Sequence, residues 1–434
     1  MAGRKGQTRR EFLQLMAGIG SAAVWVACSG SAVQTGRTGA SAPAPASQAT
    51  PASAPSAGGA PSGPPIKIGA SVSVTGSNGR TGLYQQEAYQ LWERQVNARG
   101  GLLGRPVQFI IRDDQSDAST GQRLYEQLIT DDQVDLILGP YSSQVTQAVA
   151  NVAEKYRYPL LSAGASASEI WSHGDRRYTF GVYSIAEMYF TGVLEIAQRA
   201  GYRTVAIVSE DTLFPKSTAQ GAAKLAREKG LQVVLEEQYP ARVSDVSSLI
   251  QKVKASGAEV LVGGSYLPDA LLITRQAKDL DYSPKLMAFS VGAAMPDFGE
   301  ALGKDADYVF GPSMWEPELT TPGNQEFVRE YIAMHGREPD YHSATGYSAC
   351  QVLEAAVKAV GSLDRERIRD WLASAELETV LPGKYKVDAT GMQVGHEVLT
   401  IQWQNGSKVL VWPPKYAAPG ATYKLPTPPW SQRA

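Results

Sequence analysis

Residues 134–171 constrain the fold of this chain more than any other segment. They open with an unbroken apolar run, 134–138, which is typical of a strand buried on both faces of a parallel sheet. Gly139 and Pro140 end that run, and apolar residues then recur at helical spacing as far as Tyr156. A second apolar strand follows and ends in small and hydroxylated residues. The order strand, helix, strand within one segment predicts an α/β fold with a parallel sheet.

Both of these strands end in short loops that could hold an anion. Ser142 or Ser143 is placed to cap the helix after the first strand, and a helix N-terminus offers free N–H groups and partial positive charge. Ligands of open α/β sheets bind beyond the carboxyl ends of strands, so we predict that the two loops form one binding site. Ordinary capping serines are the alternative. The predicted site residues are Tyr141, Ser142, Ser143, Gly164, Ala165 and Ser166.

The N-terminus resembles an export signal. Residues 8–14 read Thr-Arg-Arg-Glu-Phe-Leu-Gln, which resembles the twin-arginine motif, and residues 15–27 form a short apolar stretch that suits a signal peptide. Cys28 follows a Val-Ala pair, as in a bacterial lipoprotein cleavage box, although Trp25 stands where leucine is usual. We predict a twin-arginine lipoprotein signal over residues 1–27 and lipid attachment at Cys28.

Residues 28–65 form a low-complexity segment of Ala, Pro, Ser, Gly and Thr that cannot bury enough apolar surface to fold. We predict a tether with an average length of about 35 Å if it is flexible. No later segment is apolar for long enough to span a bilayer. The folded region is therefore expected to be exported, in the periplasm or at the cell surface, and held to the membrane by lipid alone.

Composition limits the possible partners. The 434 residues have a net charge of −2 and no basic stripe, which argues against nucleic acid. Two cysteines and four scattered histidines predict neither a disulfide framework nor a metal site, and no cofactor is predicted. Asp113, Asp114 and Asp117 are close together, but they lack the further ligands of a calcium loop. We predict that these three residues form a solvated loop near the cleft.

Strands and helices alternate along the rest of the chain. The Gly-rich loop after the first strand, 75–82, matches no phosphate-binding motif, and its Thr81 is included in the predicted site. The pattern restarts near residue 187, and the strand 258–262 ends, like 134–138, in a glycine, a tyrosine loop and a helix. This repeat predicts two similar α/β lobes rather than one long sheet. Near the C-terminus, residues 385–387 resemble a strand, and Asn405–Gly406 predicts a hairpin turn between two apolar strands.

Catalysis is the main alternative to binding. The sequence 346–350 reads Gly-Tyr-Ser-Ala-Cys and lacks the final glycine of a nucleophile elbow. Cys350 lies in a predicted apolar helix, where a buried and inert thiol is the usual case. We predict that the chain is not an enzyme.

Residues 66–415 resemble the type I periplasmic solute-binding proteins of the leucine/isoleucine/valine-binding family, which serve ABC transporters. The resemblance rests on residues 68–76, 97–105 (NARGGLLGR), 139–147 (GPYSSQVTQ), 164–170 (GASASEI) and the helix that contains Gly346. It implies an extracytoplasmic subunit that captures a small amino-acid-like or organic-acid or amide solute and delivers it to ABC permease and ATPase subunits. A sensory receptor domain of the same fold, without transport, remains the alternative.

The resemblance also implies two doubly wound parallel-sheet lobes, joined by three crossovers, that close on a ligand in the cleft between them. Lobe one would comprise residues 66–182 and 314–380, lobe two residues 183–313 and 381–412, and residues 413–434 would be a C-terminal tail. In such relatives the two loops of lobe one hold the ligand carboxylate, which here implies Ser143, Gly164 and Ser166. Lobe two is expected to contribute Phe214 and Tyr266.

One departure from the family concerns the ligand. Amino-acid binders place an acidic residue after the strand predicted here at 285–289, where it holds the α-ammonium. This chain has no carboxylate between that strand and Asp297, and a buried ammonium without a counter-charge is strongly disfavoured. We therefore predict a small carboxylate or amide with an aromatic or branched apolar body rather than a zwitterionic amino acid. Asp211 and Glu187 are the residues that could replace the missing acid.

Overall fold

The computed structural model describes residues 60–172 and 176–433. The predicted signal peptide, Cys28 and most of the predicted tether lie outside these residues. Within the described part of the chain, no helix has both the length and the apolar character that crossing a membrane requires.

The first sheet contains five parallel strands in the order β2-β1-β3-β4-β5. The strands are β1 (Ile66–Val72), β2 (Val107–Asp113), β3 (Leu136–Leu138), β4 (Leu160–Ser162) and β5 (Thr179–Gly181). The helices between them are α1 (Gly79–Ala98), α2 (Ala118–Thr130), α3 (Ser143–Tyr156) and α4 (Glu169–Ser172). Apolar residues of α2 and α3 pack on one face of this sheet, and α1 packs on the other face, so the sheet is covered by helices on both sides.

The second sheet contains seven strands in the order β12-β11-β10-β9-β8-β6-β7. Its strands are β6 (Thr204–Glu210), β7 (Gln232–Tyr239), β8 (Val260–Gly264), β9 (Leu286–Phe289), β10 (Val309–Ser313), β11 (Leu399–Gln404) and β12 (Ser407–Trp412). Its helices are α5 (Thr191–Arg199), α6 (Leu213–Glu228), α7 (Ser247–Ala255), α8 (Leu267–Asp279) and α9 (Pro296–Leu302). Here too, helices cover both faces, which confirms the predicted pair of doubly wound α/β sheets.

The last two strands of the second sheet depart from a purely parallel arrangement. β11 pairs antiparallel with β10, and β12 pairs antiparallel with β11. The predicted Asn405–Gly406 turn joins these strands, and both turn residues have the positive φ angles that this tight hairpin requires. The hairpin therefore extends the parallel sheet at one edge.

The chain passes between the sheets three times, after β5, after β10 and before β11. After the second passage it forms α10 (Asn324–His335), α11 (Tyr341–Val360) and α12 (Arg365–Ser374), and α11 packs along α1. Residues before the third passage also contact the first sheet, because Gly181 N donates to Gly391 O. The exact boundary of the two lobes near residue 380 stays a prediction.

Two local predictions were wrong. Asp114 is not solvated: its carboxylate is fully buried and accepts hydrogen bonds from Ser71 Oγ and Ser73 Oγ, each at 2.6 Å. Residues 385–387, which resemble a strand in sequence, form only two isolated bridges, Tyr385 with Leu377 and Val387 with Gln393.

Candidate ligand-binding site between the two sheets

The two loops of the first sheet meet directly. Tyr141 and Gly164 form a parallel β-bridge, and Ser143 Oγ accepts hydrogen bonds from the backbone N–H groups of Ser166 and Ala167, both at 3.2 Å. Because Ser143 Oγ accepts both bonds, its own proton remains available to a third group. The loops thus lie together beyond the carboxyl ends of adjacent strands β3 and β4.

Ser142 occupies the N-cap position of α3 but does not act as a capping side chain. Its φ angle of 90° is unusual for a residue with a Cβ atom, and no hydrogen bond joins its hydroxyl to the helix. Gly164 is needed for close packing, since a Cβ atom there would lie 2.3 Å from Gln85 Oε1. The backbone of both loops is therefore held in one specific arrangement.

A small cavity of about 10 Å³ lies between these loops and the second sheet, and we call it the inner cavity. It is lined by Tyr141, Ser142, Ser143, Gly164, Tyr183, Tyr189, Phe214, Tyr266, Val291, Tyr341 and His342. Six predicted site residues are among them. Thr81, Ala165 and Ser166 are not; all three are buried, and Ser166 contributes through the N–H group that binds Ser143. This volume holds about one water molecule, so a larger ligand must displace aromatic side chains of the wall.

Five lining residues were missed from the sequence: Tyr183, Tyr189, Val291, Tyr341 and His342. Tyr341 and His342 begin α11, about two hundred positions after Tyr141. No local pattern links them to the two loops; they arrive because α11 packs against α1. Tyr183 and Tyr189 lie in the first passage between the sheets. No motif in that segment indicates that it lines the site.

The walls of the inner cavity are aromatic. The ring of Phe214 lies 5.1 Å from that of Tyr189 and 5.7 Å from that of Tyr266, measured between centroids. Burial raises the pKa of Tyr141 and Tyr341 well above the usual value, so both hydroxyls stay protonated and can donate. Aromatic faces with hydroxyl donors at their tips suit a ligand with an apolar body and an oxygen-bearing end.

A buried polar chain ends at this cavity. His342 Nδ1 lies 2.8 Å from Asp340 Oδ2, and His342 Nε2 lies 3.5 Å from Tyr141 Oη. Asp340 also accepts from the backbone N–H groups of His342 and Ser343, each at 3.0 Å. Burial alone would raise the pKa of Asp340, but His342 and these N–H donors outweigh it and lower the pKa. Asp340 is therefore a stable carboxylate that orients the imidazole.

A larger cavity of about 350 Å³ adjoins the first and shares Ser142 and Tyr266 with it; we call it the outer cavity. Residues that follow strands of both sheets line it, and those of the second sheet include Glu210 and Asp269. Burial and the charge of Glu210 raise the pKa of Asp269 to about 7. The second sheet thus brings two carboxyl groups to the cleft, and neither residue was among those predicted from the sequence.

The residue that reaches the inner cavity just after β9 is apolar. Val291, two residues after β9, lines the inner cavity. Asp211 is paired with Lys216 at 3.0 Å, and Glu187 accepts hydrogen bonds from Ser168. Neither Asp211 nor Glu187 lines either cavity, so neither replaces the acid there.

Comparison with protein families decides the class of this chain. The model of the periplasmic binding protein family matches residues 65–408. The chain belongs to this family. It is thus a periplasmic substrate-binding protein, and the prediction that it is not an enzyme is confirmed.

Individual relatives of this periplasmic binding protein are distant. It is 28% identical over 365 residues to Leu/Ile/Val-binding protein homolog 7 of Brucella suis. The alignment covers 80% of this chain and 91% of that relative. The branched-chain amino acid transporter substrate-binding protein LivJ of Streptococcus pneumoniae, solved with isoleucine, superposes with a TM-score of 0.72 at 22% identity, covering 80% of this chain and 98% of LivJ. An ABC transporter solute-binding protein of R. palustris, solved with benzoate, superposes with a TM-score of 0.71 at 19% identity. The match covers 84% of this chain and 97% of that protein. These two structures establish the fold.

No group of three or more potential metal ligands occurs among the residues that the structure describes. Three acids, Asp117, Glu210 and Asp269, line the outer cavity without forming such a group, and the histidine of the inner cavity is bound to Asp340. The chemistry available at the cleft is therefore hydrogen bonding, charge and aromatic contact.

Proposed function

We propose that this protein captures a small carboxylic acid or amide with an aromatic or branched apolar body and delivers it to the permease and ATPase subunits of an ABC importer. The observation that carries the proposal is the inner cavity. It places Ser143 Oγ, with its free proton, opposite aromatic side chains of the second sheet. Relatives solved with isoleucine and with benzoate show that this fold accepts both kinds of body.

Val291 favours acids without an α-ammonium group. An ammonium placed beside this valine would lose its hydration without gaining a counter-charge. The carboxyl pair of the outer cavity, Glu210 and Asp269, is the feature that could instead favour a zwitterion. A direct comparison of leucine with 4-methyl-2-oxopentanoate, and of phenylalanine with 3-phenylpropionate and benzoate, separates the two ligand classes.

We expect calorimetry to show tighter binding of the acids that lack the amino group. Ser143→Ala should weaken that binding by about 1–3 kcal/mol, because the ligand oxygen loses one donor. Ser119→Ala, which changes an exposed serine at the start of α2, is the matched control and should bind like the wild type. A clear preference for leucine or phenylalanine, with Ser143→Ala unchanged, would reject both the ligand class and the site.

We also propose that the mature protein is a lipoprotein exported by the twin-arginine route and anchored at Cys28. The support is the sequence of residues 8–28 and the low-complexity segment behind it. Cys28→Ala should move the protein from the membrane fraction to the periplasmic or medium fraction. Equal membrane retention of variant and wild type would contradict the anchor.

A further inference from the structure

The outer cavity has the size of a binding site of its own. Its volume of about 350 Å³ lies within the range of small-molecule pockets, whereas the inner cavity has room for about one water molecule. Residues at or just beyond the carboxyl ends of strands of both sheets line it, so a molecule held there contacts both sheets. The donor proposed for the acid ligand, Ser143 Oγ, belongs to the inner cavity and not to this one.

Two buried carboxyl groups line the outer cavity without a counter-charge. Glu210 is 7% exposed and accepts from Thr212 Oγ1 at 2.6 Å, and Asp269 is 4% exposed and accepts from Tyr266 N at 3.3 Å. Both donors are neutral, and neither carboxyl group is paired with a lysine, arginine or histidine among the described residues. Burial and the charge of Glu210 raise the pKa of Asp269 to about 7, as expected of a carboxyl group that lacks a nearby positive charge.

Unused polar side chains on the first sheet's side of the cavity are the second observation. Asn78, just before α1, is 8% exposed, yet its side-chain amide neither caps the helix nor bonds to any other described residue. Ser142 is 4% exposed, and its hydroxyl also lacks a partner in the described part of the chain. Buried polar groups are almost always hydrogen-bonded, so these two side chains point to a partner inside the cavity.

The charge of the lining indicates the class of that partner. Asp117 adds a third acid, and Arg242 is the one basic residue of the described chain that lines the cavity; it is exposed and pairs with neither buried carboxyl group. No set of three ligands fit for a metal ion occurs among the described residues. An organic cation with N–H donors matches this lining, because its charge pairs with the carboxylates and its N–H groups suit the acceptor oxygens of Asn78 and Ser142.

We propose that the outer cavity is a second binding site, which takes a small primary alkylammonium ion beside the acid ligand of the inner cavity. Glu210 and Asp269 supply the opposite charge, and Asn78 and Ser142 supply further acceptors. No covalent bond is made or broken. The site goes beyond the proposed function, because it does not depend on which acid the inner cavity holds.

Calorimetry with propylammonium chloride tests the site. In phosphate buffer at about pH 8, above the raised pKa of Asp269, this carboxyl group is mainly ionised. We expect saturable binding with a Kd below about 10 mM, and binding at least about tenfold weaker for tetramethylammonium, which has the same charge but no N–H donor. A wild-type protein that does not bind propylammonium, or that binds tetramethylammonium equally well, overturns the inference.

Variants assign the binding to the outer cavity. Asp269→Asn and Glu210→Gln keep side chains of nearly the same size, and each should weaken propylammonium binding at least about tenfold. Asp211→Asn removes an exposed acid that lines neither cavity, so it is the matched control and should bind like the wild type. Propylammonium affinity that is unchanged in both cavity variants overturns the assignment.

Acid ligands are then titrated with and without saturating propylammonium. We expect 4-methyl-2-oxopentanoate and propylammonium to bind together, and mutual exclusion would place both in one site and overturn the inference. If acids bind and propylammonium does not, the second site is rejected and the proposed function stands. If propylammonium binds and no acid does, the proposed function is rejected and the second site stands.

Discussion

At the scale of single residues, the fold changes what a side chain can do. Asp269 begins α8 near the outer cavity and is only 4% exposed. Its Oδ2 accepts from the backbone N–H of Tyr266 at 3.3 Å, while Glu210 stands close enough to oppose its charge. Burial first, and Glu210 second, raise its pKa from about 3.8 to about 7. The native state therefore holds a proton there that the unfolded chain releases near pH 4.

This difference predicts how stability changes with pH. A carboxyl group with a raised native pKa stabilises the fold most below its unfolded pKa, and that contribution is lost as pH rises through about 7. Asp269→Asn cannot become charged and still offers an oxygen to Tyr266. We expect it to be more stable than the wild type by an amount on the order of 1–3 kcal/mol at about pH 8, with no difference at about pH 4.

Urea unfolding as a function of pH measures this effect. Asp211→Asn is the matched control, because Asp211 is exposed and paired with Lys216. If Asp269→Asn is no more stable than the wild type at about pH 8, ionisation of the buried carboxyl group does not destabilise the native state.

At the scale of elements, one histidine links the passages between the sheets. His396, before β11, accepts at Nδ1 from Ser184 Oγ at 2.9 Å and donates from Nε2 to Met314 O at 3.0 Å. Ser184 follows β5 and Met314 follows β10, so all three passages meet at this ring. Burial lowers the pKa of His396 to about 4, which keeps the imidazole neutral and preserves this pattern of donor and acceptor.

We expect His396→Ala to lower the free energy of unfolding at neutral pH by about 1–3 kcal/mol for each buried group left unpaired. The contribution of the neutral ring is present above about pH 6.5 and is lost as pH falls through about 4, so wild type and variant should converge in acid. Thermal unfolding at several pH values measures the difference. Lys155→Ala, at an exposed side chain away from the three passages, is the control, and a variant no less stable than this control would contradict the linking role.

At the scale of the whole molecule, the two sheets are joined by direct contacts across the cleft. Arg80 on α1 forms an ion pair with Asp297 on α9, and Tyr84 Oη donates to Asp297 Oδ2 at 3.0 Å. Helices α3 and α6, which belong to different sheets, also touch. We expect such contacts to favour a closed cleft over an open one.

Asp297→Asn should shift the ligand-free protein toward an open form. An ion pair with partly exposed partners contributes about 0.2–1 kcal/mol, so ligand affinity should fall by about 1.5- to 5-fold although Asp297 lines neither cavity. Small-angle scattering should give a larger radius of gyration for the free variant and the same radius with bound ligand. Lys155→Ala, which removes the exposed pair with Glu126 within the first sheet's helices, should change neither measurement. An unchanged radius in Asp297→Asn would argue that the pair does not control closure.

The sequence by itself determined the elements and the class of fold. Apolar runs buried on both faces predicted the parallel strands, and helical spacing predicted the helices, because both signals are set by neighbours along the chain. The two small-residue loops could be placed side by side, since consecutive parallel strands usually pair. The Asn405–Gly406 hairpin followed from turn chemistry alone.

The tertiary structure decided the rest of the site. Tyr341 and His342 reach the loops only because α11 packs along α1, and no periodicity in the sequence encodes a contact between positions two hundred residues apart. Asp114 lies in a charged run and Asp269 in an apolar one, yet both are buried, because their environment is set by strands and helices from elsewhere in the chain. Local pattern fixes what each segment becomes, whereas burial and charge depend on long-range packing.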